Sequence, residues 1–175
     1  RGIDPEDVVH SLKNSKKKNM TSTVTFPKGN IAPEGSVVKS TAIDKTVIDE
    51  DGVYRKIGPA RIFISEADAI KAVKDKGPNK IKAGDIMVIV CGGPKGTGMQ
   101  EVAQITIALK YLPYGKEVAL ITDGRFSGVS TGACIGHIGP EALDGGPIGK
   151  LKENDLIEIN IDTINLEGSL NLIGE

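Results

Sequence analysis

Two apolar runs, residues 86–90 and 118–121, contain no polar side chain. Such runs suit short strands buried on both faces. Elsewhere the pattern alternates. Residues 21–26, 36–43 and 60–64 predict strands, and residues 156–170 predict two more with 160–163 between them. Pro27-Lys28-Gly29-Asn30 is turn chemistry, and Asp49-Glu50-Asp51-Gly52 reads as a hairpin turn. Ser65 followed by Asp68 resembles a capping box, with Ile64 and Ala69 placed to staple it. A helix is expected from there to about Lys74, ending before Gly77-Pro78. Val102, Ile105 and Leu109 recur at helical spacing and predict a second helix, with Glu101 in its first turn and Lys110 at its end. Pro140-Glu141-Ala142-Leu143 predicts one helical turn. Residues 1–20 read as a linker or short helix, opening at Pro5 and closing on the solvated run Lys16-Lys17-Lys18. Residues 21–175 read as one domain. Strands outnumber helices, so a mixed α/β fold is expected, with a β-barrel or sandwich core and helices packed outside.

Composition narrows the function. The chain has 175 residues, with 22 Lys and Arg against 23 Asp and Glu, a formal net charge of -1. That balance provides no global drive toward nucleic acid or anionic lipid. Aromatics are only 3%, which removes the stacking platforms of a single-strand binder. No apolar run approaches the roughly 20 residues of a membrane span. The chain opens at Arg1 without Met or a secretory h-region, and reads as a piece of something longer. Cys91 and Cys134 are too few for a disulfide scaffold and read as buried free thiols.

Two glycine-rich loops each follow an apolar run. The first, Cys91-Gly92-Gly93-Pro94-Lys95-Gly96-Thr97-Gly98, leads into the helix that should carry Glu101. Free backbone N–H groups at such a junction make an anion cradle, although neither a Walker A motif nor a dinucleotide fingerprint is present. Glu101 suits a hard cation or the helix dipole. The second loop spans residues 123–139. Its Ser127 is a turn hydroxyl or a nucleophile or base at a strand end, outside any Gly-x-Ser-x-Gly elbow. Asp123 and His137 share that loop, but their order suits no hydrolase triad, and His137 alone reads as a hydrogen-bonded structural histidine.

Gly-Pro-Lys-Gly-Thr-Gly-Met-Gln-Glu at 93–101 and Asp-Gly-Arg-Phe-Ser-Gly at 123–128 resemble the C-terminal domain of the dihydroxy-acid dehydratase/6-phosphogluconate dehydratase family. Gly29-Asn30-Ile31-Ala32-Pro33 and Gly136-His137-Ile138-Gly139-Pro140-Glu141-Ala142 match further signatures of that family, in order. Thr97-Gly98-Met99, residues 129–134 and Asp51-Gly52-Val53-Tyr54-Arg55 resemble its sugar-acid branch, the D-xylonate dehydratases. Pro94-Lys95 is shared with the branched-chain type, which acts on 2,3-dihydroxyisovalerate.

The resemblance implies a swivelling β-barrel-like domain flanked by helices, in a cytoplasmic hydro-lyase. The reaction implied removes water from a 2,3-dihydroxy sugar acid to give a 2-keto-3-deoxy acid. An iron–sulfur cluster would act on the C3 hydroxyl and Mg²⁺ on the carboxylate and C2 hydroxyl. By motif position Ser127 is the base and Glu101 a Mg²⁺ ligand. Cys91 and Cys134 match no cluster position, so the cluster would sit in an N-terminal domain as partner. A homodimer or tetramer is implied, and the chain alone is expected to be inactive. With that partner absent, at least one glycine loop is expected to be displaced or disordered. The alternative from another class is a stand-alone module that binds a small anion in the first loop.

Overall fold

The computed structural model describes residues 2–18, 20 and 23–174. Nine strands and four short α-helices are present among them: β1 (Gly35–Val38), β2 (Val53–Phe63), β3 (Ile86–Ile89), β4 (Glu101–Val102), β5 (Ala119–Thr122), β6 (Arg125–Phe126), β7 (Cys134–Gly139), β8 (Leu156–Asp162) and β9 (Glu167–Gly174), with α1 (Leu12–Lys17), α2 (Glu66–Lys74), α3 (Pro94–Thr97) and α4 (Gln104–Lys110). Seven strands form one mixed sheet in the order β1-β7-β5-β3-β2-β8-β9, and β4 and β6 make a separate parallel pair. The central pairs β2–β3, β3–β5 and β5–β7 are parallel, and the outer pairs are antiparallel.

The two apolar runs become β3 and β5, and both are buried throughout. Alternation sends their side chains to two different cores. Ile86, Val88 and Ile121 join Val38, Tyr54, Ile135, Ile157, Ile159 and Leu170 on one side. Met87, Ile89 and Leu120 meet Ala69, Val73, Ile105 and Leu109 of α2 and α4 on the other. A strand covered on both faces needs apolar residues at every position. β8 is covered on one face only, so its buried Ile157, Ile159 and Ile161 alternate with Glu158 and Asn160.

The sheet curls, and residues 25–31 bridge its two edges. Thr25 exchanges backbone hydrogen bonds of 2.9 Å with Val38 of β1. Lys28 N donates to Gly168 O, Leu170 N to Lys28 O, and Ile31 N to Leu170 O of β9. Asn30 completes the seam with its side chain, donating to Leu172 O at 2.8 Å and accepting from Leu172 N at 2.7 Å. The mixed α/β, barrel-like expectation therefore holds. Bridging both edges also protects them from pairing with other chains.

Several local expectations change. Ser65 caps α2 by accepting from Asp68 N at 3.1 Å, as read, but Ile64 is 73% exposed and staples nothing. Within residues 21–26 Thr25 forms an isolated bridge, while Thr21 and Ser22 lie outside the described residues. The strand expected over 36–43 stops at Val38 and gives way to a 3-10 turn, Ser40–Ala42. The strand expected over 60–64 is the end of a longer one, because β2 pairs first with β8 and then, past Pro59, with β3. Asp49–Gly52 turns the chain, closed by Gly52 N to Asp49 O, yet no strand precedes it. Pro5–Asp7 is only a 3-10 turn, and Lys16 and Lys17 belong to α1 rather than to a linker. The final hairpin turns at residues 163–166, later than the pattern suggested, because Asp162 accepts from Ile164 N and Asn165 N.

Asn30→Ala removes both bonds to Leu172. A loss of about 1–2 kcal/mol is expected in urea unfolding, with faster hydrogen exchange at the Leu172 amide than at Ile121. Unchanged exchange at Leu172 would show that the seam does not depend on Asn30.

Candidate active site

β3 and β5 are parallel neighbours, so both glycine loops leave the same end of the sheet. Carboxyl ends of parallel strands are where α/β sheets bind ligands. Neither loop stands away from the domain. Asp123, only 1% exposed, accepts from Gly92 N at 2.8 Å, Cys91 N at 3.2 Å and Ala142 N at 2.9 Å. Glu141 accepts from Lys95 N with both carboxylate oxygens, at 2.9 and 3.1 Å. Buried carboxylates within the chain fasten both loops to it.

The same bonds fill the anion cradle. Gly96, Thr97 and Met99 all donate their N–H to Gly93 O, and Gln100 N donates to Thr97 Oγ1. With Cys91, Gly92 and Lys95 bound to Asp123 and Glu141, most donors of the first loop are spent inside the protein. Gly93 is required by this arrangement, since a Cβ there would lie 2.2 Å from a Glu141 carboxylate oxygen. Gly96 is required as well, since its Cβ would lie 2.0 Å from Cys91 O. α3 has four residues, and the chain then runs into β4 rather than directly into a helix.

Glu101 accordingly sits on β4 and not in a helical turn. The parallel pair β4–β6 sets Glu101 opposite Arg125 and Val102 opposite Phe126. The Arg125 guanidinium lies 3.3 Å from Glu101 Oε2 and donates from Nε to Met99 O at 2.9 Å. The Glu101 carboxylate is partly exposed, with Oε1 outside that ion pair. α4 begins three residues later and is capped from another helix, Glu66 accepting from Ile105 N at 3.0 Å. Glu101 borders a cavity of about 290 Å³ with Glu66, Cys91, Thr97 and Gln100.

Ser127 directly follows β6, so the β4–β6 pair brings it and Glu101 into one short ribbon. Its Oγ accepts from Val129 N at 3.4 Å and its carbonyl from Ser130 N at 3.0 Å, a tight turn. Lys39 reaches across from the end of β1 and donates to Gly128 O at 2.9 Å. Ser127, Ser130, Lys39, Cys134 and His137 line a neighbouring cavity of about 310 Å³. The Ser130 hydroxyl is buried without a hydrogen-bond partner among the described residues. A larger cavity of about 510 Å³, beside Lys110 and Lys116, contains neither Ser127 nor Glu101.

His137 is exposed with a left-handed backbone, φ 55°. No hydrogen bond to its ring is found among the described residues, against the structural reading. Burial and then Arg125 hold its pKa below the usual 6.5, so it is mostly neutral near pH 7. Asp123 is committed to three N–H donors, and no bond joins it to His137. A hydrolase triad is not assembled.

Both thiols are free, and both are half-buried rather than fully buried. Burial pushes Cys134 up to about 12, and burial, Asp123 and Glu141 raise Cys91. Among the described residues no group of three or more His, Cys, Asp or Glu is placed to hold a metal ion. These residues do not make an iron–sulfur site. They offer Mg²⁺ one fitting donor, the half-exposed Glu101 carboxylate.

Sequence reasoning weighed Asp123 only as a triad member and missed Glu141 and Lys39 as site residues. A carboxylate just past a buried apolar strand was the available signal for Asp123. Lys39 had none, because its partner lies 89 positions away.

A family model described as dihydroxy-acid/6-phosphogluconate dehydratase C-terminal matches residues 7–172. The D-xylonate dehydratases YagF and YjhG of Escherichia coli (strain K12) are each 60% identical, over 99% and 98% of this chain and 26% of their own length. A dihydroxy-acid dehydratase of Agathobacter rectalis is 48% identical over 94% of the chain and 27% of its own length. The chain thus spans about a quarter of these relatives. Among the described residues no helix is long and apolar enough to cross a membrane.

Asp123→Asn exchanges one acceptor oxygen for a donor facing a backbone N–H. A loss of about 1–3 kcal/mol is expected in denaturant unfolding, and unchanged stability would contradict the clamp. Iodoacetamide at pH 8 is expected to alkylate Cys134 more slowly than free cysteine, because thiolate forms only as pH rises through a raised pKa. Rapid labelling at pH 8 would show Cys134 to be ionised.

Proposed function

Because the chain belongs to the dihydroxy-acid/6-phosphogluconate dehydratase family as its C-terminal part, we propose that it supplies the base of a sugar-acid dehydratase. The observation that carries this is the β4–β6 ribbon. It pairs Glu101 with Arg125 and ends one residue before Ser127, on the loops that leave the carboxyl ends of the central parallel strands. The 60% identity to two D-xylonate dehydratases supports a D-xylonate-like substrate.

In this reading Ser127, as alkoxide, removes the C2 proton of a 2,3-dihydroxy acid. The electron pair forms the C2–C3 double bond as the C3–O bond breaks, and the departing hydroxide takes up the proton that Ser127 removed, which releases water and restores the alkoxide. The resulting enol rearranges to the 2-keto-3-deoxy acid. Ser127 suits this role in position, beside a cavity that no Asp or Glu lines among the described residues. A serine hydroxyl is a weak base unless a cation lowers its pKa.

Glu101 would offer Oε1 to Mg²⁺, which when bound polarises the carboxylate and C2 hydroxyl end of the acid. The cluster would be carried by a separate N-terminal domain, consistent with the quarter of the relatives' length spanned here. A homodimer or tetramer is part of the same proposal. This chain alone is expected to turn over nothing. The stand-alone anion module is disfavoured, since Asp123 and Glu141 already occupy the cradle.

The test uses the full-length enzyme reconstituted with cluster and Mg²⁺. 2-Keto-3-deoxy acid formation would be measured from D-xylonate, other sugar acids and 2,3-dihydroxyisovalerate. Turnover on a sugar acid is expected, with Ser127→Ala slowing it about a thousandfold or more at unchanged cluster content. An active Ser127→Ala variant would remove Ser127 as base. Preference for 2,3-dihydroxyisovalerate would move the chain to the branched-chain type.

A further inference from the structure

Lys39 stands one residue beyond β1 and lines the Ser127 cavity together with Phe126 of β6. Its ammonium donates to Gly128 O at 2.9 Å, the carbonyl directly after Ser127. The turn it grips is otherwise shallow: Val129 is 84% exposed, and its N–H reaches Ser127 Oγ only at 3.4 Å. A lysine ammonium has three donors, and Gly128 uses one.

Among the described residues Lys39 is the charged group that lines this cavity. Lys39 enters the cavity from the β1 side, and Cys134 and His137 enter from β7. Arg125 stands two residues before Ser127, paired with Glu101 outside this cavity. Lys39 and Ser127 share the lining of this cavity, and among the described residues no Asp or Glu lines it. Neither thiol contributes negative charge near neutral pH, and His137 is neutral there.

We propose that Lys39 is a positioning residue for the base: its ammonium orients the Ser127 turn through Gly128 and stabilises the negative charge of the Ser127 alkoxide. The proposal rests on the reading of Ser127 as base. Preorganised charge beside a developing oxyanion is often the largest single contribution to catalysis. Glu101 would hold Mg²⁺, and Lys39 is a cation that this chain itself supplies at the Ser127 cavity.

Four variants of the full-length enzyme separate the possibilities: Ser127→Ala, Lys39→Arg, Lys39→Gln and Lys39→Met. Arg keeps charge and donor, Gln keeps a donor without charge, and Met keeps neither. For Lys39→Gln, kcat is expected to fall about tenfold to a hundredfold with KM little changed. The acid limb of its kcat–pH profile should move up by about one unit, because losing a cation raises the pKa of the hydroxyl that must ionise. Lys39→Met should fall further, and Lys39→Arg should restore both the rate and the limb. Native kcat and an unmoved limb in Lys39→Gln, beside an inactive Ser127→Ala, would overturn the role of Lys39 and leave the base in place. Equal impairment of Lys39→Arg and Lys39→Gln would also overturn it. A fully active Ser127→Ala would remove the base and this inference with it.

Discussion

Asp123 accepts hydrogen bonds from three backbone N–H groups: two at the start of the first glycine loop, and one beyond the cis Gly139–Pro140 bond. A buried carboxylate is tolerated only when its oxygens are satisfied, and charge-assisted bonds of this kind are among the stronger ones. The bonds are reciprocal, since the loop amides would otherwise be buried without partners. Asp123 thus stands at the junction of β5, the first loop and the segment after β7. Glu141 repeats the arrangement one step outward by fastening Lys95 N. Backbone donors that resemble an open anion site in the sequence are consumed by the protein's own anions.

What those carboxylates fasten is a rigid platform. β3 and β5 are covered on both faces, by the barrel interior on one side and by α2 and α4 on the other. Close packing on both faces leaves little room for the strand ends to move. The short β4–β6 pair then carries Glu101 and Arg125 in register and delivers Ser127 one residue later. The seam through residues 25–31 completes the frame at the opposite edges of the sheet and leads the chain round to Lys39.

Arg61 is shared among Asp85, Glu153 and two backbone carbonyls, a fastening of the β2 and β3 ends far from the loops. At the loops the ion pair Glu101–Arg125 remains partly exposed, and Ser127 faces a cavity whose lining contains a lysine and no acid. The two cysteines are held as thiols, which removes them from thiolate chemistry near neutral pH.

Much of this was legible locally. The apolar runs, the Ser65 cap, the turn at Asp49–Gly52 and the two motif loops depend on neighbours within a few residues, and the mixed α/β barrel-like architecture followed from their order. Ser127 and Glu101 were legible by type and motif, although Glu101 was assigned to a helix. It lies on a strand because its partner Arg125 is 24 positions away, and a two-residue parallel pair leaves no periodic trace. The closure by Asn30 against Leu172, the three bonds of Asp123, the filling of the anion cradle by Glu141 and the reach of Lys39 to Gly128 all join residues distant in sequence. Short-range pattern records propensity and burial, so it determined the strands, caps and loops of this protein. Which carboxylate satisfies which amide, and which cation faces which hydroxyl, was decided only by the long-range packing that brings those groups within hydrogen-bond distance.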